Sequence, residues 1–146
     1  MKYFKVYELV SKAVYTKYGD AAIMFLDDRL IETLDRIREI LGVPMTINDW
    51  YWNGKNQQRG LRENICQLVS SKTKSNTLYL SRHIFGRAFD AVSSKMSAEE
   101  MRQKIEKNKD KLPYSIRIES KKSAPTWLHV DLNITNGAPK LTYFDA

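Results

Sequence analysis

The chain contains only two histidines, and each has an aspartate close to it in sequence. His83 precedes Asp90 in the segment SRHIFGRAFD, and His129 precedes Asp131 in WLHVD. Imidazole nitrogens and carboxylate oxygens are ligands that zinc prefers, and hydrolytic zinc sites combine three protein ligands with a position left open for water. His83, Asp90 and His129 supply such a set, so the residue types predict a zinc site with one open position.

The spacing of these residues requires the chain to turn and a second strand to approach. The interval between His83 and Asp90 is too irregular for one helix face, whereas a turn at Gly86 can bring both side chains to one point. His129 must then arrive from the other arm of a sheet. A histidine in a strand is more often a packed residue than a metal ligand. Spacing alone therefore does not establish a metal site.

The segment Ser81–Asp90 matches, at every specified position, the SxHxxGxAxD signature of the zinc D-alanyl-D-alanine carboxypeptidase family. This family includes phage endolysin L-alanyl-D-glutamate peptidases and shares its fold with the hedgehog signalling domain. Trp127–Asp131 looks like the family's second motif, in which a late histidine completes the site. The resemblance spans roughly residues 45–134. It implies a hedgehog/DD-peptidase-like fold, the three zinc ligands named above, and hydrolysis of amide bonds in peptidoglycan stem peptides.

One position departs from the family pattern. The resemblance implies an acidic base three residues before the last histidine, where this chain has Thr126. Glu119 is our preferred replacement, because pairing across the SKKSAP turn would set it opposite Thr126 or Trp127. Asp131 is the alternative, since it shares a strand face with His129 and could orient that histidine, bind the metal or act as the base.

Candidate substrate-binding residues lie upstream of the metal ligands. Arg62 is the preferred clamp for a substrate carboxylate or a developing oxyanion, and Arg59 is the reserve, in a part of the chain where family members present an arginine to the substrate. Ser81 is expected to hydrogen bond to substrate or to stabilise its own turn. Trp50 and the two aromatic residues after it would line a groove or anchor a loop.

The first half of the chain is predicted to be mainly helical. Apolar spacing predicts helices over residues 5–17 and 21–41, the second ended by Gly42 and Pro44. Four segments complete this half: a short strand over 45–47, a long structured loop, a short helix over 62–70 and a flexible connector over 70–76.

The sequence of the second half predicts strands before and after a single helix. Residues 78–92 have the composition of strand broken at Gly86, and a capping box of Ser97 and Glu100 opens a helix that ends near Asn108. Tyr114–Glu119 and Thr126–Ile134 are predicted to form an antiparallel hairpin. The order of elements therefore predicts an α+β domain with a small antiparallel sheet and N-terminal helices.

We expect one domain over residues 1–146, with residues 1–44 as scaffold, 45–134 as the peptidase-like core and 135–146 as a tail. The net charge of +7 would attract polyanions such as cell-wall polymer, while no motif accompanies it that would predict nucleic-acid binding. We expect neither a signal peptide nor a membrane-spanning run in this chain. We therefore expect a protein of a bacterial cytoplasm or a phage that acts at the cell wall.

Three functions remain open, the last of them nucleic-acid binding driven by charge alone. The first is a zinc metallopeptidase that uses Glu119 as proton acceptor and Arg62 as clamp. The second is a catalytically impaired, zinc-containing module that binds the cell wall or serves in a virion, which the non-acidic Thr126 favours.

Overall fold

A computed structural model describes residues 1–146 and consists of five α-helices, four β-strands and three short 3₁₀ segments. The helices are α1 (Val6–Leu9), α2 (Lys12–Tyr18), α3 (Asp28–Leu41), α4 (Gln67–Lys74) and α5 (Ala98–Lys107). The strands are β1 (Ala88–Ala91), β2 (Ile116–Glu119), β3 (Leu128–Leu132) and β4 (Leu141–Phe144). The 3₁₀ segments are Gly19–Phe25, Trp50–Trp52 and Lys109–Lys111. None of the helices combines the length and the apolar character needed to cross a bilayer.

The four strands form one mixed sheet in the order β1-β3-β2-β4. β3 runs antiparallel to β1 and β2, which confirms the predicted hairpin, and β4 runs parallel to β2. The α+β class is therefore confirmed, but the expectation of a purely antiparallel sheet is wrong. The predicted tail over 135–146 is wrong for the same reason, because it contains the edge strand β4. The four residues of β4 do not alternate clearly between apolar and polar side chains, so the sequence did not predict a strand there.

The two faces of the sheet differ in character, because side chains alternate along each strand and paired residues share a face. Phe89, Val130 and Ile118 follow one another across the first three strands on one face. The next residue along two of those strands, Asp90 on β1 and Asp131 on β3, belongs to the opposite face. The apolar face packs against α3 and α5, so these two helices and the sheet enclose the core.

The N-terminal helices belong to this same core. A cluster of 26 buried apolar side chains runs from Phe4 to Leu132 and includes the stripe that the sequence predicted on α3. α3 begins after Asp27, whose carboxylate accepts a hydrogen bond from the Arg29 amide, and ends at Gly42 with a left-handed conformation. The predicted Ser97 and Glu100 capping box at the start of α5 is confirmed.

The predicted N-terminal helices have wrong boundaries. The helix expected over 5–17 is two helices, because Val10 is extended and the Ser11 hydroxyl caps α2 by accepting from the Val14 amide. The helix expected over 21–41 begins only at Asp28, since Gly19–Phe25 is 3₁₀ and the Asp27 cap restarts the α-helix.

Three further boundaries in the middle of the chain differ from expectation. Residues 45–47 contribute a single bridge, Thr46 to Val92, instead of a strand. The helix expected over 62–70 begins at Gln67 and continues to Lys74, so most of the predicted flexible connector is helical. The strand composition of residues 78–92 yields only β1, because the stretch before Arg87 is a tight turn. Composition favoured strand there, but the hydrogen bonds within the turn prevail.

Candidate metal centre

His83 lies in a turn that precedes β1. Backbone hydrogen bonds from Gly86 to His83 (3.3 Å) and from Arg87 to Arg82 (3.0 Å) fold the segment back on itself. Gly86 has φ of 63°, and a Cβ at this position would lie 2.0 Å from the Phe25 carbonyl oxygen. The turn therefore needs glycine both for its conformation and for its close contact with the scaffold. The predicted turn at Gly86 is confirmed.

The orientation of the His83 ring is fixed by the backbone of Gly60. Its Nδ1 lies 2.8 Å from the Gly60 carbonyl oxygen, which can only accept, so Nδ1 carries a hydrogen and donates it. His83 is 1% exposed, and burial lowers the pKa of the imidazole, which favours the neutral ring. Nε2 then bears a lone pair, and it is buried without a hydrogen-bond partner.

Asp90 and His129 face each other across the first strand pair, β1 and β3. The Asp90 Oδ1 lies 2.7 Å from His129 Nδ1, and its Oδ2 lies 3.4 Å from His83 Nε2. The Asp90 amide also donates to the Arg59 carbonyl (2.7 Å), which ties β1 to the preceding loop. Asp90 thus lies between the two imidazoles.

One ligand atom from each of His83, Asp90 and His129 falls within 4.8 Å of the other two, and this buried group could hold a metal ion. Two imidazole nitrogens and a carboxylate oxygen suit zinc as well as other divalent ions of the first transition row, so the donor set alone does not select the metal. The unpartnered Nε2 of His83 is the observation that fits an ion best, because a buried lone pair without a partner is costly. The predicted convergence is confirmed.

Asp131 supports the far side of the His129 ring. Its Oδ2 lies 3.4 Å from His129 Nε2, and both of its oxygens accept hydrogen bonds from Arg117 at 2.8 Å. Arg82 is a further cation at 3.6 Å. Burial opposes ionisation of Asp131, but the His129 and Arg117 hydrogen bonds outweigh burial and lower its pKa.

This environment suits Asp131 to orient His129, since a carboxylate that accepts Nε2–H leaves Nδ1 available for a metal. It suits Asp131 poorly as a base, because a carboxylate held by two cationic groups has little affinity for a proton. Arg117 was not predicted from the sequence. It stands two residues before Glu119 in a predicted strand, so the strand period would have placed it on the same face.

The charge state of His129 follows from its two carboxylate neighbours. Burial disfavours its charged form, but hydrogen bonds to Asp131 and Asp90 outweigh burial and raise its pKa to about 9. In the metal-free chain, therefore, a proton on Nδ1 lies where an ion would bind. Burial opposes ionisation of Asp90 as well, but its hydrogen bonds with His129 and His83 outweigh burial and hold the pKa of this carboxyl below its usual range.

The two candidate clamp arginines differ in what their guanidinium groups contact. Arg62 is fully engaged: Nε donates to the Gln58 carbonyl at 2.7 Å, Nη1 to the Tyr79 hydroxyl at 2.9 Å and Nη2 to Asp90 Oδ2 at 2.9 Å. Arg59, by contrast, has a buried Nη1 without any partner. Arg62 therefore positions Asp90, and Arg59 retains the free donor.

A polar cleft of about 460 Å³ adjoins Asp90. Its walls come mainly from one loop, and they comprise Lys55, Asn56, Gln57, Gln58, Arg59, Arg62, Gln67 and Trp127. Trp50 is not part of this wall: its Nε1 donates to the Val10 carbonyl at 2.8 Å, so it anchors the loop. The Ser81 hydroxyl accepts from the His83 amide at 3.3 Å, so it stabilises the turn.

Glu119 lies on the face of the sheet that carries Asp90 and Asp131, which we call the site face. It lies opposite a different residue of β3 from the one the sequence predicted. Ile118 pairs with Val130, so one step further Glu119 comes level with His129 and not with Thr126 or Trp127. The register prediction was wrong because Ser120–Pro125 forms a wider connection than a tight turn, with Ala124 folded back onto Ser120. The result brings Glu119 closer to the metal ligands, since it is coupled electrostatically to both His129 and Asp90.

The carboxylate of Glu119 is suited to accept a proton. The residue is 8% exposed, and its hydrogen bond with Arg102 is made by the backbone carbonyl, which leaves the side chain free. Burial raises the pKa of Glu119, with the negative charge of Asp90 adding to this effect and His129 opposing it. Thr126, where the resemblance implied an acidic base, is exposed just before β3.

No protein-family model, no curated protein and no solved structure matches this chain. The geometry of the site is accordingly what bears on its function.

Proposed function

We propose that this chain is a zinc-dependent peptidase that hydrolyses amide bonds of peptidoglycan stem peptides. The observation that carries the proposal is the convergence of His83, Asp90 and His129 within 4.8 Å, with the other nitrogen of each imidazole facing a backbone or carboxylate oxygen. Zinc and the wall peptide are taken from the resemblance of Ser81–Asp90 to the carboxypeptidase family. The same resemblance leads us to propose a hedgehog/DD-peptidase-like arrangement for the mixed sheet.

Each polar residue around the ligands has a distinct role in this proposal. A zinc ion here would supply a bound water whose pKa falls from about 15.7 toward 7. Glu119 accepts the proton of the attacking water and returns it to the leaving amine. Arg59 holds a substrate carboxylate or the developing oxyanion through its free Nη1, while Arg62 positions Asp90 and Asp131 positions His129.

The cleft beside Asp90 favours an extended, polar substrate over an apolar one. Its lining is dominated by amide and cationic side chains, and a single aromatic residue, Trp127, contributes apolar surface. A stem peptide carries backbone amides and carboxylates, which these groups can bind. The charge of the cleft therefore agrees with an anionic peptide substrate.

The test uses zinc-loaded protein with purified peptidoglycan and measures the appearance of new amino groups. Wild type is expected to release them, and Glu119→Gln is expected to reduce the rate by about 10²–10⁴-fold, the usual contribution of a general base. Glu106→Gln, an exposed change of the same type on α5, should retain the full rate. An unchanged rate in Glu119→Gln rejects Glu119 as proton acceptor, and no release by zinc-loaded wild type rejects the peptidase.

A second candidate is favoured by one observation, the exposed and non-acidic Thr126 at the family's base position. In this alternative the chain keeps the metal ion and binds the cell wall, or serves in a virion, without hydrolysis. Co-sedimentation of the protein with peptidoglycan, without release of amino groups at any zinc concentration, would favour the binding module over the enzyme.

A further inference from the structure

The loop before the metal centre exposes two large aromatic side chains. Tyr51 is 54% exposed and Trp52 is 57% exposed, although Trp50 beside them is anchored to the Val10 carbonyl. Adjacent exposed aromatic side chains often mark a surface that a ligand covers. The metal site does not account for these rings.

The loop is held rigidly, so the exposure of the two rings is a fixed feature of the fold. The Asp49 carboxylate accepts from both the amide and the side-chain nitrogen of Asn56, each at 2.7 Å. Asn53 adopts a left-handed conformation, and the Gly54 amide donates to the Asp49 carbonyl at 3.0 Å. A Cβ at Gly54 would meet the Asp49 carboxylate at about 2 Å. A ligand that binds here has little loop ordering to offset.

Three rings form a surface with two perpendicular parts. We call this surface the aromatic platform, and its residues are Tyr7, Tyr51 and Trp52. Tyr7 and Tyr51 stack with centroids 4.3 Å apart and 16° between their planes. Trp52 stands nearly perpendicular to both, at 78° to Tyr7 and 81° to Tyr51. A flat base and an upright wall together suit a ring-shaped ligand with apolar faces and a polar rim.

Polar side chains of the same loop continue from the platform into the cleft. Residues 55–58 line the cleft that reaches Asp90, and three of these four side chains are neutral amides. Amides both donate and accept hydrogen bonds, which suits hydroxyl and acetamido groups. The platform and this part of the cleft wall therefore belong to the same loop.

We propose that the aromatic platform binds an amino-sugar glycan, with the C–H face of a pyranose ring on Tyr51 and Trp52. This proposal rests on the proposed function, because it makes the glycan strand of peptidoglycan the part of the substrate that the protein grips outside the cleft. A sugar ring offers the apolar faces that the rings require and the hydroxyl and acetamido rim that the amides require.

The surroundings of the platform disfavour nucleic acid. Binding of a nucleic-acid strand combines aromatic stacking with a groove of cations along the backbone. Between Trp50 and Gln58 the loop has one cation, Lys55. The cleft adds two more, Arg59 and Arg62, which both adjoin Asp90. The crossed arrangement of Trp52 and Tyr51 also offers no parallel stack for successive bases. An apolar protein surface fits poorly too, because Asn53, Lys55 and Gln57 beside the rings are polar and exposed.

The experiment titrates the full chain with a soluble hexamer of N-acetylglucosamine and follows tryptophan fluorescence and calorimetric heat. Wild type is expected to bind, Trp52→Ala to bind at least about tenfold more weakly and Trp52→Phe to recover most of the loss, since a flat ring is restored. The matched control is Tyr18→Ala, because Tyr18 is also exposed (38%) and packs edge-to-face against another aromatic, Phe25. This control should bind as wild type does. Circular dichroism verifies the fold of each variant, and Tyr51→Ala repeats the test if Trp52→Ala does not fold.

Equal affinity of wild type and Trp52→Ala for the hexamer, or no binding by wild type, overturns the proposal. Tighter binding of a single-stranded oligonucleotide than of the hexamer, lost in Trp52→Ala, also overturns it and assigns the platform to nucleic acid. The titration is repeated in EDTA, where the sugar affinity is expected to be unchanged because the platform does not include the metal ligands. Failure of sugar binding is thereby distinguished from failure of the peptidase, which is judged by zinc-dependent amine release.

Discussion

The two faces of the central sheet are both buried, but burial is compensated differently on each. On the apolar face, Phe89, Val130 and Ile118 are at most 1% exposed and pack within the main core. On the site face, Asp90 and Asp131 are also buried, at 7% and 2% exposed, yet they are surrounded by charged partners. Packing on the apolar face stabilises the folded state. On the site face, ion pairs must first offset the cost of removing the charges from water.

This difference indicates which face maintains the fold and which serves the chemistry. A buried cluster of charged groups contributes little net stability, so an arrangement that retains several of them is better explained by function. Within the cluster the carboxylates are paired, and His83 Nε2 alone among the metal-facing nitrogens lacks a partner. A metal ion would supply the partner that His83 Nε2 lacks. We therefore expect substitutions on the apolar face to change stability, and substitutions on the site face to change metal binding.

The largest expected effect follows from a charge placed on the apolar face. Val130→Asp would bury an unpaired carboxylate among apolar side chains, and we expect it to lower the free energy of unfolding by at least about 4 kcal/mol. Because a typical domain has about 5–15 kcal/mol in total, this loss would remove a large part of its stability. Urea unfolding followed by circular dichroism measures the effect.

Thr142→Asp is the matched control on the site face. Thr142 pairs with Arg117 on the edge strand and is half-buried, with a buried Oγ1 that has no hydrogen-bond partner, so the new carboxylate would have a cationic neighbour. We expect a change within about 1 kcal/mol. Equal losses in Val130→Asp and Thr142→Asp would mean that the two faces do not differ as described.

Zinc is expected to have the next largest effect, and only through the site face. At a concentration about 1,000 times its dissociation constant, a ligand that binds only the folded state stabilises it by about 4 kcal/mol. His83→Ala removes the unpartnered nitrogen and should abolish this stabilisation, whereas Asp110→Asn, an exposed acid far from the cluster, should retain it. Equal stabilisation of wild type and His83→Ala by zinc would exclude His83 from the site.

The ligand set was predictable from the sequence because few residues could form it. The chain has two histidines, and the turn glycine between His83 and Asp90 indicated how one side chain could reach the other. The strand character of the segments that carry Asp90 and His129 also followed from local composition, although their pairing with each other did not. These inferences depended on residue types and short spacings, which the sequence states directly.

The surroundings of the ligands were not predictable in the same way. The residue of β3 that lies opposite Glu119 depends on the path of Ser120–Pro125. A shift of a few residues in register changes which side chains face one another. The roles of Arg62 and Arg59 depend on hydrogen bonds to distant residues such as Tyr79. The start of α4 likewise depends on tertiary packing, because no strong N-cap residue precedes Gln67.

The pH dependence of the metal-free protein offers a finer comparison of the two faces. In the folded chain the pKa of His129 is about 9, against a reference value of 6.5, so its proton stabilises the fold below pH 6.5 and this contribution is lost as the pH rises through 9. We expect a loss of up to about 3 kcal/mol between pH 7 and 9.5 in EDTA. His83, whose pKa is lowered, is already neutral in this range and does not oppose the trend.

Urea unfolding at several pH values measures this dependence. His129→Gln should remove most of the slope because its amide does not titrate, while Val130→Ala on the apolar face should lower stability but keep the slope. A wild-type stability that stays constant or rises between pH 7 and 9.5 would contradict a protonated His129 in the metal-free site.

The smallest expected effect concerns Asp131, which borders the cluster without donating to the ion. Asp131→Asn replaces the carboxylate opposite His129 Nε2 by a weaker acceptor, and such changes behind a ligating histidine typically cost 10–100-fold in metal affinity, or about 1.4–2.7 kcal/mol. Competition with a zinc chelator measures the affinity, and the visible absorption of cobalt-loaded protein reports whether the imidazole has turned. Asp110→Asn should change neither readout. If Asp131→Asn lowers stability but leaves zinc affinity and the cobalt spectrum as in wild type, Asp131 serves only its ion pair with Arg117. The site face would then be less specialised for metal binding than its buried charges imply.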